Sequence, residues 1–414
     1  MGSVMGPRAG NNETARSRTP VQVIDLFCGC GGMSYGFATA STRTVHYKIC
    51  GGVDIDRHAC ATYEKMLGVA PLRADVTGLL RTAMYEEALA RWGVDSKRPL
   101  LLIGCAPCQG FSSHRKKDPR TDRRNSLLQV FARIACTLRP DLIVMENVPE
   151  IFAKQHWTHF ADWERMMTRA GYTLRTKIYN LAQFGVPQER FRAVVVAARD
   201  WHCFRMPTPI RAPDEFATVR QAIGGLRPLL AGGIDPIDPM HITSKHRQET
   251  VELIKLIPPD GGSHRSLPPG VGPSCLHNVD GFRDVYGRLA WDKPAVAITA
   301  RCRTPSCGRY THPEQHRGLS VREAALLQGF PPTFTFEGPF DDKYKQIGNA
   351  VSPMFARAVA EHLDREWVAD HTTGLSTREI DGDITGPISK SFSSSIAAIK
   401  RKMRVQSAES LWLI

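Results

Sequence analysis

Val21-Gln22-Val23-Ile24-Asp25-Leu26-Phe27-Cys28-Gly29-Cys30-Gly31-Gly32 joins an apolar run to a cluster of glycines. The run has the length and the β-branched content of a strand buried in a parallel sheet, and a helical pattern follows it directly. Strand, glycine turn and helix make the unit that opens a nucleotide-binding α/β sheet, because glycine lets the backbone come close to a ligand. No Walker lysine follows, so a triphosphate is not suggested. A glycine turn can also serve only to pack a helix on a strand, and taken alone it leaves both readings open.

Before this run, residues 1–20 are small, polar and without periodicity, and are expected to form a disordered leader. Downstream, Tyr47 to Val53 reads as a second strand ending in Asp54-Ile55-Asp56. A carboxylate roughly 20 residues past the glycines is placed to accept hydrogen bonds from ribose hydroxyls, which points to an adenosine-bearing cofactor. After a helix containing Ala59, Tyr63 and Met66, Ala74-Asp75-Val76 offers another carboxylate at the mouth of the sheet. It suits an exocyclic amine such as that of adenine, or it is a helix N-cap.

Leu100-Leu101-Leu102-Ile103-Gly104-Cys105-Ala106-Pro107-Cys108-Gln109-Gly110-Phe111-Ser112 reads as a buried strand entering a loop, with Cys108 where the loop begins. Cysteine attacks through its thiolate, and a thiol at such a mouth is positioned to react. Cys105 and Cys108 also form a C-x-x-C pair, open to reading as a redox dithiol, half of a metal site or core packing. From His114 to Arg124 the chain holds six Lys/Arg against two Asp, a loop suited to phosphates or simply a solvated charge run. Ser126 to Leu138 reads as an amphipathic helix. Asp141 to Met145 reads as a buried strand that delivers Glu146-Asn147-Val148-Pro149 to the same sheet edge as Cys108.

The 414 residues, 42% of them hydrophobic, can build one large or two modest domains with a real core. Eleven cysteines without a signal peptide or a short disulfide-scaffold length argue for a reducing, intracellular setting, and no apolar run approaches membrane-spanning length. The net charge of +13, from 54 Lys+Arg against 41 Asp+Glu, favours a polyanionic partner.

Taken in order, the motifs resemble those of DNA cytosine-5 methyltransferases from Asp25 to about Leu363. They are Asp25 to Gly32, the acid at Asp54, Asp75, Pro107 to Ser112, Glu146-Asn147-Val148, Gln188-Glu189-Arg190-Phe191-Arg192, Arg322 to Pro331, and Gln346-Ile347-Gly348-Asn349-Ala350-Val351. The resemblance implies a Rossmann-like, S-adenosylmethionine-dependent α/β sheet with helices on both faces and a smaller, loop-rich target-recognition lobe. It implies Cys108 as nucleophile on cytosine C6, Glu146 at N3, and Arg190 and Arg192, two apart on a strand and so on one face, holding the base carbonyl and a phosphate or the loop. Phe27, Gly29, Gly31, Gly32, Asp54, Ile55, Asp75, Val76, Pro107, Leu127, Asn349 and Val351 are implied to hold S-adenosyl-L-methionine, with Phe27 against adenine. The partner implied is double-stranded DNA whose target base is flipped out of the stack, with Gln109, Ser112, Arg115, Lys116 and Lys117 contacting it. The same chemistry on transfer RNA, or DNA binding without catalysis, are the rival readings; the length of chain after Arg192 and the intact catalytic set weigh against them. A cytoplasmic, nucleoid-associated prokaryotic monomer, with restriction or defence proteins as possible associates, is the expected setting.

The catalytic and cofactor lobe is expected at 21–199, the target-recognition lobe at 200–283, where Pro and Gly break the α/β rhythm, and a return segment at 284–369. His264, Arg265 and Arg283 are candidate readers of guanine or phosphate, or surface residues. Cys275, His277, Cys302, Cys307 and His312 lack two compact ligand pairs, so no metal site is expected. Ser352 is expected to cap a helix starting at Pro353, with Gly348-Asn349-Ala350-Val351 as the preceding turn. Residues 370–414, Ser-rich and basic, read as a weakly ordered tail.

Overall fold

The computed structural model describes residues 18–106, 127–154, 156–273 and 284–369, with Ile384, Gly386 and Ile388. The opening run forms β1 (Thr19–Leu26), which starts inside the expected leader because Thr19 and Pro20 already pair with Val45 and His46. There follow α1 (Gly32–Ala38), β2 (Val45–Asp54), α2 (Arg57–Leu67), β3 (Leu72–Arg73), α3 (Thr82–Trp92) and β4 (Leu100–Gly104). Then come α4 (Leu127–Leu138), β5 (Leu142–Asn147), α5 (Trp157–Arg169), β6 (Thr173–Asn180), β7 (Gln188–Glu189) and β8 (Phe191–Ala198). The second half contributes α6 (Val219–Ile223), α7 (Gln248–Lys255), β9 (Ala295–Val296), α8 (Val321–Leu327), α9 (Phe340–Asn349) and α10 (Pro353–Glu366).

Seven strands form one sheet in the order β3-β2-β1-β4-β5-β8-β6. β1 to β5 run parallel, and β8 is antiparallel to both of its neighbours. Strand order reverses between β1 and β4, the crevice where open α/β sheets bind ligands. Alternation along the strands explains the two covered faces. Val21 and Val23 share a core with Leu101, Ile103 and Val144 under α1 and α10. Ile24 and Leu26 face the other way, with Leu102, Ile143 and Met145 under α3, α4 and α5. This is the expected Rossmann-like α/β architecture.

A third core gathers Val219 and Ile223 from the Pro/Gly-rich region with Leu289, Trp291, Ile298, Leu319, Phe330 and Ile347. Residues from Leu289 to Ala350 thus pack in one loop-rich core with Val219 and Ile223, while α10 packs on the sheet with α1. A buried ion pair organises this core. Arg317 donates to both carboxylate oxygens of Glu323 at 2.8 and 2.7 Å, and Ser320 and Glu323 form a capping box at the start of α8.

Burial would raise the Glu323 carboxyl, but the Arg317 hydrogen bonds and charge, with His312 and the Ser320 amide, hold it at about 2. A folded value below the ordinary 4.5 means that this stabilisation is complete above pH 4.5 and is lost as pH falls toward 2. Glu323→Gln should lose about 3 kcal/mol at pH 7 through the stranded guanidinium. Urea unfolding across pH should show that deficit shrinking below pH 4.5, the ordinary value for the group, and a constant deficit would exclude the ion pair as its cause.

Ser352 does occupy the N-cap position of α10 with Pro353 after it, but it makes no side-chain cap bond. Its Oγ is buried without a partner among the described residues, against Gly329, where a Cβ would lie 2.5 Å from it. Gly348 and Asn349 complete the last turn of α9 instead of forming a loop.

Candidate functional site

The carboxyl ends of β1, β2 and β3 open on a cavity of about 530 Å³, closed on its far side by the end of α9. That volume suits a nucleoside-sized ligand. Of the residues expected to hold a cofactor, Phe27, Gly29, Gly32, Asp54, Ile55, Asp75, Val76, Leu127, Asn349 and Val351 line it. Gly31 does not. At φ 84° it is the N-cap of α1, and a Cβ there would meet Tyr63 and Leu67 of α2 at 2.9 Å, so helix packing is what demands glycine. Gly32 is constrained from the cavity side, since a Cβ would come 2.3 Å from the carbonyl of Val351. Phe27 takes φ 60°, a left-handed conformation held by the Cys28 N–H bond to the Val53 carbonyl at 3.1 Å. Pro107 lies outside the described residues.

Asp54 ends β2, with Oδ2 accepting from the Gly29 amide and Oδ1 from the Asp56 amide, both at 2.9 Å. Burial raises its carboxyl despite these bonds, yet each oxygen keeps a lone pair for a ligand hydroxyl. Asp75 has the capping role that its position allows, and it also borders the cavity. It caps the short 3₁₀ turn Val76–Leu80 by accepting from the Thr77 amide at 2.9 Å.

Asp25, Asp56, Cys105 and Gln346, which the sequence motifs contain but to which no cofactor role was given, also line the cavity, as does Lys345, which no motif marked. Asp25 was legible as part of the glycine motif. Burial pushes its carboxyl up to about 7, against a 2.6 Å hydrogen bond from Ser34. Lys345 donates to Asp56 Oδ2 at 2.6 Å and so ties α9 to the cap of α2 beside the cavity. A helix approaching from 289 residues away leaves no local signal.

Beyond Cys105 the cavity meets a second cluster. Glu146, buried near the end of β5, pairs through Oε1 with Arg192 Nε on β8 at 2.8 Å and accepts at Oε2 from the Cys105 thiol at 3.0 Å. The antiparallel β5–β8 register brings Arg192 there, opposite the end of β5. Arg190 does not share that face. It falls between β7 and β8, and its guanidinium bonds to the carbonyls of Ile298 and Gly348 at 2.7 and 3.1 Å. The break in strand geometry defeats the two-residue period, and Arg190 braces the loop-rich lobe against α9. Gln188 on β7 is tied to the end of α8 and to Ile298 instead, donating to Leu327 and Gln328 and accepting from the Ile298 amide.

Cys108, Gln109, Ser112, Arg115, Lys116, Lys117 and Arg283 fall outside the described residues. His264 bonds through Nδ1 to the Val285 carbonyl at 2.9 Å, whereas the Arg265 side chain is exposed beside it. Among the described residues, no group of three or more His, Cys, Asp or Glu could hold a metal ion. Among them, too, no helix is long and apolar enough to cross a membrane.

Comparison with known proteins agrees with this geometry. The model of the C-5 cytosine-specific DNA methylase family matches residues 21–365. The Type II methylase M.HgiDII of Herpetosiphon aurantiacus is 34% identical over 352 residues, covering 83% of this chain and 95% of the relative. The Type II methyltransferase M1.HphI of Haemophilus parahaemolyticus is 34% identical over 341 residues, covering 82% and 85%. A candidate DNA modification methyltransferase encoded within an E. coli prophage superposes with a TM-score of 0.63 at 21% identity, covering 84% of this chain and all of that one, a likeness of fold.

Proposed function

We propose, from the premise that the chain belongs to the C-5 cytosine-specific DNA methylase family and is a DNA cytosine-5 methyltransferase, that it methylates a flipped cytosine in a specific duplex sequence. S-adenosylmethionine is the proposed cofactor, and restriction-modification or phage defence the proposed setting. The observation that carries this reading is the junction of a nucleoside-sized cavity with the buried Glu146–Arg192 pair, bridged by Cys105.

The residues present fit that cofactor. Asp54 would take the ribose hydroxyls, Asp75 the adenine amine and Phe27 the adenine face, with Asn349 at the far wall. Bound there, S-adenosylmethionine would supply an electrophilic methyl group for cytosine C5. Asp54→Ala should weaken binding of S-adenosylhomocysteine by about 1–3 kcal/mol, the usual loss when hydrogen-bonding groups are stranded. Calorimetry that finds unchanged affinity would remove Asp54 from the site.

Cytosine C5 is a poor nucleophile, and the chain's own groups would overcome this. The Cys108 thiolate adds to C6, which pushes electron density to C5 and into the ring. Glu146 protonates or strongly hydrogen-bonds N3 and so offsets that charge, while Arg192 fixes the carboxyl. Loss of the C5 proton then expels Cys108. A base stacked in duplex DNA is out of reach, so flipping costs a few kcal/mol that contacts from the basic loop at 114–124 would offset. Sequencing the methylome of a host that expresses the chain, against one expressing Cys108→Ser, tests the whole reading. Methylation at one sequence context only with the native chain is expected; transfer confined to RNA, or none, would overturn it.

A further inference from the structure

Cys105 stands between the two halves of the site. It lines the cavity, and its Sγ donates to Glu146 Oε2 at 3.0 Å while Arg192 holds Oε1 at 2.8 Å. The carboxyl of Glu146 is thus gripped at both oxygens, from the end of β4 and from β8. A companion bond crosses the same gap in the opposite sense, from Asn147 Nδ2 to the Ala106 carbonyl at 3.1 Å. Backbone pairing of β4 with β5 stops at Gly104 opposite Met145, so these two side-chain bonds prolong the connection to the threshold of Pro107 and Cys108.

We propose that Cys105 is a positioning residue for methyl transfer, fixing the orientation of the Glu146 carboxyl and linking it mechanically to the cofactor cavity. This rests on the role proposed above for Glu146 at cytosine N3. The terminal torsion of a glutamate is broad, and a donor on one oxygen alone leaves the other free to swing. A donor on each oxygen removes that freedom before the base arrives. A thiol is a weak donor in general, but a carboxylate acceptor strengthens the bond, and Glu146 itself is buried. The long C–S bonds let a short side chain at the end of β4 span the gap to β5. Cys105 also lines the cavity, so the residue that orients Glu146 is part of the cofactor pocket's wall.

The test follows single-turnover adduct formation with duplex DNA bearing 5-fluorocytosine at the site identified by methylome sequencing, at saturating cofactor. Cys105→Ala should form adduct about tenfold more slowly, the size expected for losing a hydrogen bond to a charged group. Cys105→Ser, which restores a donor, should recover most of the rate. With Glu146→Gln already present, Cys105→Ala should change the rate by less than about twofold, because the residue acts through that carboxyl. Affinity for S-adenosylhomocysteine should stay within about threefold. Cys105→Val, similar in size and without a donor, repeats the comparison if the alanine protein does not fold. Equal losses in both backgrounds, no rescue by serine, or a wild-type rate for Cys105→Ala would overturn the inference. Adduct formation by Cys108→Ala, or an unaffected Glu146→Gln, would instead sink the proposed function on which it rests.

Discussion

Duplex DNA carrying 5-fluorocytosine at the target position should become covalently attached to the native chain in the presence of cofactor, and Cys108→Ala should form no adduct at all. With cytosine the adduct is transient: once C5 has accepted the methyl group, its proton leaves, the C5–C6 double bond re-forms and the sulfur is expelled. Fluorine at C5 cannot leave as the proton does, so elimination is blocked and the enzyme is trapped. Loss of the nucleophile should lower transfer to normal DNA by on the order of 10⁴-fold or more, since no other group can make that bond. Cys108→Ala should still bind DNA and cofactor, which separates chemistry from binding. A dithiol reading of Cys105 and Cys108 predicts equal sensitivity at both positions. The Cys105 thiol is committed to Glu146 at 3.0 Å, so a smaller, rescuable effect is expected there. Mass spectrometry decides: an adduct mapped to Cys105, or none on a proven target site, would refute the nucleophile.

Much of the catalytic sheet was legible because both of its faces are buried. Val21 and Val23 pack on one side and Ile24 and Leu26 on the other, which compels the continuous apolar runs from which the strands were read. Asp54 was legible for a related reason: an acid that closes such a run stands at the carboxyl edge, whatever the loops do. The antiparallel entry of β8 between β5 and β6 left no local trace, although it is what carries Arg192 to Glu146.

The arginines of the loop-rich lobe were opaque for another reason. Arg288, fully buried, donates to the carbonyls of Ile254, Ile257, His312 and Gln315, and no periodicity marks a side chain whose partners are distant backbone oxygens. Burial alone brings its guanidinium down to about 10. Arg190 misled in the same way. A spacing of two implies one face only within an unbroken strand, and the chain breaks strand geometry at that residue.

Glu146 and Arg192 should respond to mutation in different observables, and that contrast is the sharpest check on their pairing. Glu146→Gln keeps the shape and one oxygen for Arg192 Nε but removes the proton that N3 needs. Adduct formation should slow by on the order of 10²–10⁴-fold, the usual contribution of a placed acid, with little change in the unfolding midpoint. Arg192→Ala leaves Glu146, 3% exposed, without its cation, so the fold itself should lose about 3–5 kcal/mol. Adding Glu146→Gln to Arg192→Ala should recover part of that loss, because the stranded charge is then gone. Urea unfolding of the four proteins measures this coupling. If the two stability effects simply add, the 2.8 Å contact is not an ion pair that matters to the folded state, and Arg192 must be assigned to the substrate alone.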